Sequence, residues 1–212
     1  MIEFTTYLPG ILLALSAVVL ALMSPGPNIL AVIGTSMNAG RKYGVALALG
    51  VATGTFLWAL IAVSGLTAVL TAYASVLTAI KIAGGCYLLW LGYKSLRSAA
   101  TRKDLRTADL GATASRRAYF LRGLTVQMTN PKAALAMVAV VSLGLHAGAP
   151  IWVAATLVLG ITSLSVVGHL VYACAFSTRI VVALYLKARR WIEAALGVFF
   201  CFAGAKVLTD RS

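Results

Sequence analysis

Residues 22–28 read Leu-Met-Ser-Pro-Gly-Pro-Asn (LMSPGPN), and this stretch interrupts an apolar run that extends over residues 8–37. An unbroken helix of that length would reach about 45 Å, well beyond the roughly 30 Å of a bilayer core. Proline has no backbone N–H and clashes with the carbonyl four residues earlier, so Pro25 and Pro27 do not fit inside one regular helix. The stretch therefore predicts that one helix ends near Met23 and that a second begins at Pro27, because proline suits the first helical position.

Composition indicates a membrane protein. Apolar residues make up 61% of the 212 residues and charged residues 11%, against about half and a quarter in soluble domains. The formal net charge is +13, but the basic residues lie between apolar runs and form no continuous face, so we expect no nucleic-acid partner. The three cysteines lie singly in apolar runs without CxxC spacing, and we expect them to pack as small apolar residues.

Six apolar runs are long enough to be transmembrane helices, so an all-α fold with six spans is predicted. The runs cover residues 8–37, 44–70, 76–96, 122–145, 150–173 and 191–209. Lys and Arg are concentrated in alternate loops, and residues 71–75 and 146–149 contain neither. Because basic loops stay cytoplasmic, both termini are predicted on the periplasmic or extracellular side of a bacterial inner membrane. The segment 175–190 is interpreted either as an extension of the fifth span or as a short interfacial helix.

The long basic loop at residues 99–121 separates a first half, 1–98, from a second half, 122–212, with three spans each. An odd number of spans per half gives the halves opposite orientations, which is the inverted-topology repeat of many secondary transporters. Each half also begins with a proline-interrupted helix, the second at Pro131. We therefore interpret residues 1–212 as one transmembrane transporter domain with broken first and fourth helices.

The first break also predicts a binding site. In a helix that begins at Pro27, the N–H groups of Asn28, Ile29 and Leu30 have no intrahelical acceptor and lie at the positive end of the helix dipole. Non-helical backbone inside hydrocarbon persists only where protein or water covers it, so these groups are expected to face a cavity that suits a carboxylate. The alternative is a packing kink without a ligand.

The second break, Thr129-Asn130-Pro131-Lys132, repeats this pattern. Pro131 frees the carbonyl of Gln127, and Asn130 is a favourable N-cap for a helix that begins beside Lys132. Counted along the helices, both breaks fall at similar depths, so we expect them to face each other and form one electropositive pocket. The predicted substrate-binding residues are Ser24, Pro25, Gly26, Pro27, Asn28, Gln127, Thr129, Asn130, Pro131 and Lys132.

Two ionisable residues inside the spans have alternative interpretations. Lys132 either belongs to the pocket or extends to the cytoplasmic surface. His169 is a candidate proton carrier, because the pKa of imidazole lies near neutrality, or else a hydrogen-bonded structural residue. None of the five acidic residues falls in the middle of a span, so the pocket suits a neutral amino acid better than a cation. No catalytic pair, metal-ligand cluster or cofactor motif is visible, and no enzymatic activity is expected.

Four stretches together resemble the lysine exporter (LysE) and homoserine/threonine resistance (RhtB) family of amino-acid exporters. They are residues 22–28 (LMSPGPN), 40–50 (GRKYGVALALG), 81–97 (KIAGGCYLLWLGYKSLR) and 120–134 (FLRGLTVQMTNPKAA). The resemblance covers essentially the whole chain and is strongest to the threonine and homoserine branch. It implies proton-driven efflux of threonine, homoserine or related small metabolites.

Two departures from the family pattern affect the predicted coupling. Several relatives have Asp where Asn28 stands. Several also have an acidic residue in the fifth span, whereas the fifth span of this chain contains none. His169 is therefore our hypothesis for the proton carrier. The alternative functions are export of another small solute, such as a metal ion, a drug or a dipeptide, and a non-transporting scaffold or enzyme subunit. Small-residue helix faces are compatible with a homodimer.

Overall fold

The computed structural model describes residues 2–23, 26–72, 76–101, 115–146, 148–176 and 179–209. Within these residues the regular structure is entirely helical. The helices are α1 (Ile2–Met23), α2 (Pro27–Asn38), α3 (Arg41–Ala72), α4 (Val76–Ala100), α5 (Arg116–Met128), α6 (Pro131–Gly144), α7 (Ile151–Ala175) and α8 (Arg179–Thr209).

Both predicted helix breaks are confirmed. Helix α1 ends at Met23 and α2 begins at Pro27, while α5 ends at Met128 and α6 begins at Pro131. Each proline takes the first helical position, where its missing N–H removes no intrahelical hydrogen bond. The residue before each of these prolines has an extended backbone, as expected from the clash that proline makes with a helical predecessor.

Three described segments are long and apolar enough to cross a bilayer: Thr5–Met23, Arg41–Ala68 and Ile151–Ala175. Helix α6 is a shorter apolar helix. The all-helical membrane class is therefore confirmed, whereas the count of six spans stays a prediction.

Neither interpretation of residues 175–190 was right. Helix α7 ends at Ala175, and α8 runs without interruption from Arg179 to Thr209, so most of this segment is the first part of α8. No glycine or proline occurs between Arg179 and Leu196 to end a helix there. The side chain of Arg189 also ties this part to α4, since its Nη2 donates a hydrogen bond to Ser98 Oγ at 3.3 Å.

Glycines let α4 and α8 pack at backbone contact. The two antiparallel helices bring Gly85 opposite Gly204 and Gly92 opposite Gly197. A Cβ on Gly204 would lie 2.8 Å from the carbonyl oxygen of Gly85, and one on Gly92 would lie 2.9 Å from that of Gly197. These glycines are thus used within the chain rather than on a free face, and the homodimer stays a prediction.

Two apolar clusters form most of the interior, and a third consists of Ile29, Ile33 and Phe176. The large apolar cluster contains buried residues from 11–18, 59–66, 137–145 and 153–161, together with residues of α4 and α8. The small apolar cluster consists of Ala31, Val32, Leu47, Ala48, Val51, Tyr119 and Ala173. Four parts of the chain contribute residues to both the large and the small cluster: α1 with α2, α3, α5 with α6, and α7. Each of them passes from one cluster to the other at the level of the helix breaks.

Candidate functional site

A layer of polar side chains separates the two apolar clusters. On α3, Thr55 lies four residues after Val51 of the small cluster and four before Ala59 of the large one. On α7, Ser165 and His169 follow Ile161 of the large cluster at the same spacing. Residues four apart share one face of a helix, so both helices present these polar groups on the stripe that also forms the core.

Hydrogen bonds join four helices through this layer. Asn28 Nδ2 on α2 donates to Gln127 Oε1 on α5 at 3.0 Å, and Gln127 Nε2 donates to Thr55 Oγ1 on α3 at 2.9 Å. Ser165 Oγ on α7 donates to the same Thr55 oxygen at 3.1 Å, and Thr55 in turn donates to the carbonyl of Val51. We call Asn28, Gln127, Thr55 and Ser165 the polar chain.

His169 lies beside the end of the polar chain and is 2% exposed. Its Nδ1 is 2.8 Å from the backbone carbonyl of Ser165 and 3.2 Å from that residue's Oγ. A carbonyl oxygen only accepts hydrogen bonds, so Nδ1 carries the proton of the neutral imidazole and Nε2 is the acceptor. Nε2 is buried and has no hydrogen-bond partner among the residues that the structure describes.

The N–H groups at the helix breaks are not free as predicted. Asn28 Oδ1 accepts a hydrogen bond from Ile29 N at 3.0 Å, and Leu30 N donates to the carbonyl of Gly26 at 3.0 Å. At the second break Asn130 Oδ1 accepts from Lys132 N at 3.1 Å, which confirms the predicted N-cap. The prediction of free donors at Ile29 and Leu30 was wrong, because it overlooked the nearby Asn28 side chain and the Gly26 carbonyl as acceptors.

Carbonyl groups at the ends of the preceding helices find partners on neighbouring helices. Trp58 Nε1 on α3 donates to the carbonyl of Gln127 at 3.2 Å, the group that Pro131 was predicted to free. The hydroxyl of Tyr172 on α7 donates to the carbonyl of Leu22 at 2.8 Å. Unpaired carbonyls are unfavourable in an apolar interior, so these two aromatic side chains stabilise the broken helices where they stand.

A cavity of about 110 Å³ lies between the two breaks. It has room for several water molecules or one small solute, and is below the ~300–1,000 Å³ of sites for drug-sized ligands. The amine of Lys132 is directed into this region, because its Nζ lies 3.9 Å from the position of a Cβ on Gly26. Lys132 therefore faces the first break, as the pocket interpretation predicted, rather than the bilayer surface.

The structure brings together most of the predicted site residues. The predicted residues that line the cavity are Gly26, Asn28, Gln127, Asn130, Lys132 and His169. Pro27 and Pro131 are exposed and shape the breaks without lining the cavity. Thr129 is also exposed, and its hydroxyl donates to the carbonyl of Thr125 on its own helix, so the structure does not bring it into the cavity lining. Ser24 and Pro25 lie outside the described residues.

Two lining residues, Thr55 and Ser165, were missed from the sequence. Hydroxyl residues inside apolar helices usually bond to the carbonyl one turn earlier, so neither residue has a distinctive signal. The available clue was their four-residue spacing from the apolar residues of the core stripe. A polar residue on the most buried face of an apolar helix requires a partner, and here the partners are each other and Gln127.

Glu193 on α8 was also given no role, yet it is only 4% exposed. Its Oε1 lies 4.0 Å from Nε of Arg189, and its carboxylate also bonds with Ser98. Glu193 is therefore a buried carboxylate at a position that the sequence placed at the edge of a span.

The cavity offers one ammonium group, one imidazole acceptor, and the amides and hydroxyls of the polar chain. In the part of the chain that the structure describes, no group of three or more His, Cys, Asp or Glu side chains is placed to hold a metal ion. The available chemistry is thus that of binding a small polar solute that carries an anionic group.

Comparison with known proteins assigns the family. A family model described as LysE type translocator matches residues 19–211. The chain belongs to the LysE family. It is 32% identical over 198 residues to the threonine efflux protein of Escherichia coli (strain K12), covering 91% of this chain and 94% of that protein. It is 28% identical over 219 residues to the leucine efflux protein of Klebsiella pneumoniae, covering 100% and 97%.

A third relative of this LysE family member is the homoserine/homoserine lactone efflux protein of Salmonella typhimurium, at 30% identity over 193 residues, with 89% and 91% covered. No solved structure matches the chain. The resemblance expected from the four sequence stretches is confirmed, and the protein is a membrane transporter of the LysE type.

Proposed function

We propose that this LysE-family protein is a secondary transporter that exports small neutral amino acids, such as threonine or homoserine, from the cytoplasm. The observation that carries the proposal is the small cavity between the two helix breaks, which contains the Lys132 amine within an otherwise uncharged lining. The names of the relatives, which specify threonine, leucine and homoserine efflux, support the same substrate class.

The substrate carboxylate binds at Lys132 and Asn28 in this proposal. A salt bridge to the ammonium group provides most of the affinity, and the second Nδ2 hydrogen of Asn28 is available beside it, because the first is donated to Gln127. The N-terminal ends of α2 and α6 add positive potential from two directions. An uncharged side chain suits the rest of the lining, which is mainly apolar.

In the proposed topology, α1 with α2 forms the first span and α5 with α6 the fourth. Six spans then form two three-span halves of inverted orientation, with both termini outside the cytoplasm of the bacterial cell. The packing supports this arrangement, because α3 packs on α7 and α4 on α8, which are the pairs that a pseudo-two-fold axis would bring together. The loop charges support the orientation.

The two apolar clusters serve as the two gates in this proposal. Each closes the cavity from one side, and export requires them to open in turn around the polar layer. His169 is the proposed proton carrier, since it is the only other titratable residue in the lining besides Lys132 among the described residues. Inward movement of protons through His169 then drives outward movement of the amino acid.

Uptake into inverted membrane vesicles tests the proposal. Vesicles that contain the protein should accumulate at least one of labelled threonine, homoserine and leucine when their interior is acidified, because inverted vesicles turn efflux into uptake. Lys132→Gln should lower initial uptake roughly ten- to hundredfold through loss of the charged hydrogen bond, at equal protein content. The matched control is Lys187→Gln at an exposed position of α8, which should transport normally. Equal rates for the two variants would contradict the site, and no uptake of any amino acid would contradict the function.

A further inference from the structure

The unpartnered Nε2 of His169 is an unusual group for the interior of a membrane protein. It is buried, it lines the cavity, and the bond from Nδ1 to the Ser165 carbonyl fixes it as a hydrogen-bond acceptor. Buried acceptors almost always have partners in folded proteins, so an exception calls for an explanation. The group that completes this site must be a hydrogen-bond donor small enough for the cavity.

The other side-chain acceptors on the cavity wall already take part in at least one hydrogen bond each. Asn28 Oδ1 accepts from Ile29 N, and Gln127 Oε1 accepts from Asn28. Thr55 Oγ1 accepts from both Gln127 and Ser165. An amino acid that places its carboxylate at Lys132 also brings an α-ammonium group with three donors into the same cavity. Among the described side chains of the lining, His169 Nε2 is the acceptor that has no hydrogen bond at all, so it is the one that gains most from this donor.

Few other charges surround this imidazole. Helix α7 packs against α1, α2, α3 and α6. The titratable or charged side chains on these elements are Lys132 on α6, Tyr172 and the exposed Cys174 on α7 itself, Tyr7 and Glu3 near the start of α1, and Arg41, Lys42 and Tyr43 in the first turn of α3. Of these only Lys132 lines the cavity, and the Tyr172 hydroxyl donates to the carbonyl of Leu22.

We propose that His169 Nε2 accepts a hydrogen bond from the α-ammonium group of the substrate, and that the same lone pair is where the coupling proton binds. This inference rests on the proposed amino-acid export. A proton from water on the acidic side forms the Nε2–H bond, which removes the acceptor and creates an imidazolium that repels the ammonium group. Deprotonation returns that proton to water on the other side and restores the lone pair. Proton and substrate therefore exclude each other at one atom, which is the requirement for exchange.

Binding to the purified full-length protein tests the ammonium contact. The probes are labelled threonine, homoserine and leucine, each paired with the carboxylic acid in which a hydrogen atom replaces the α-ammonium group. The wild-type protein should bind an amino acid roughly ten- to hundredfold more tightly than its deamino analogue, the range for a hydrogen bond to a charged group. Equal affinities would overturn the proposal while leaving amino-acid export intact. Failure to bind any of the three amino acids would overturn the export proposal as well.

Two variants at one position separate the acceptor from the proton site. His169→Gln keeps a neutral acceptor that does not titrate, so it should still prefer the amino acid, with an affinity that is constant between pH 5 and pH 8. His169→Phe has neither property and should lose the preference. In the wild type, lowering the pH should weaken substrate binding. Once most of the imidazole is protonated, the affinity should fall about tenfold for each further unit by which the pH is lowered, because a proton and the substrate cannot occupy Nε2 together. A pH-dependent affinity in His169→Gln would overturn the proposal.

NMR of the histidine side chains measures the protonation of His169 directly, because the chain has only two histidines. With ¹³C-labelled imidazole carbons the spectrum contains two resonances, and His146→Gln identifies them without altering the cavity. Saturating amino acid should move the titration of His169 to lower pH and leave that of the exposed His146 unchanged. A His169 titration that does not respond to bound amino acid would show that proton and substrate do not share the site.

Discussion

The hydrogen bond between Asn28 and Gln127 should be measurable as a coupling energy between two helix breaks that are far apart in sequence. Asn28→Ala removes this bond and the acceptor that caps Ile29 N, so we expect a loss of about 2 kcal/mol in the free energy of unfolding. Gln127→Ala removes the same bond and the one to Thr55, again about 2 kcal/mol. The double variant loses the shared bond only once and should be destabilised by about 3 kcal/mol.

The expected coupling energy is therefore about 1 kcal/mol, within the ~0.6–1.7 kcal/mol found for hydrogen bonds between membrane helices. It exceeds the ~0.3–0.5 kcal/mol by which independent substitutions depart from additivity. The assay is SDS-induced unfolding of the purified protein in mixed micelles, followed by circular dichroism for the wild type, both single variants and the double variant.

Thr129 provides the matched control. It lies two residues from Gln127, but its hydroxyl bonds to the carbonyl of Thr125 on its own helix. The cycle of Asn28→Ala with Thr129→Ala should therefore be additive. A coupling energy below about 0.5 kcal/mol between Asn28 and Gln127 would refute the polar chain as a link between the two breaks. The same conclusion would follow if Asn28 and Thr129 had as large a coupling energy as Asn28 and Gln127.

Two further predictions concern the scaffold around the site. Gly92→Ala places a methyl group against the backbone of α8 and should destabilise the protein by about 1–3 kcal/mol in the same unfolding assay. Gly65→Ala, where a Cβ meets open space, should be neutral or stabilising, and a similar loss in both variants would contradict the glycine contact. Trp58→Phe leaves the Gln127 carbonyl without its indole donor and should cost about 1–2 kcal/mol. Trp191→Phe at a side chain that is 77% exposed should change stability by less than about 0.5 kcal/mol, so equal losses would argue against the capping role of Trp58.

The helix breaks could be predicted from the sequence because they depend on local chemistry. Pro27 and Pro131 lack the N–H that a continuous helix needs, and no tertiary contact replaces it. The cap at Asn130 follows from the same local rule and is present. The N-terminus of α2 at the first break was misinterpreted, because its N-cap residue Gly26 has no side chain and Asn28 instead accepts from Ile29 N from a position inside the helix.

The start of α8 and the members of the polar chain could not be predicted in this way. An apolar segment with a basic end is compatible with either neighbouring helix, and only contact with α4 decides, through residues such as Arg189. Thr55 and Ser165 become distinctive only when the fold brings them together and places Gln127, from a distant part of the chain, beside Thr55. The same holds for Glu193, whose burial depends on its packing against Ser98.

Two helix contacts, α4 with α8 and α1 with α7, differ in whether backbone or side-chain atoms meet. This difference indicates which helices would move most easily when the cavity opens to one side of the membrane or the other. Helices α4 and α8 meet backbone to backbone at Gly92 and Gly197, and interiors packed in this way respond to displacement as rigid units. The contact of α1 with α7 differs, because the ends of the Leu15 and Leu22 side chains fill the spaces at Gly160 and Gly168. Side-chain ends can change rotamer while backbone atoms in contact cannot yield, so α1 can shift along α7 at lower cost than α4 along α8. Since α1 ends at the first break and α7 contains His169, such a shift would change the cavity itself, which is the coupling that an exporter with one central site requires.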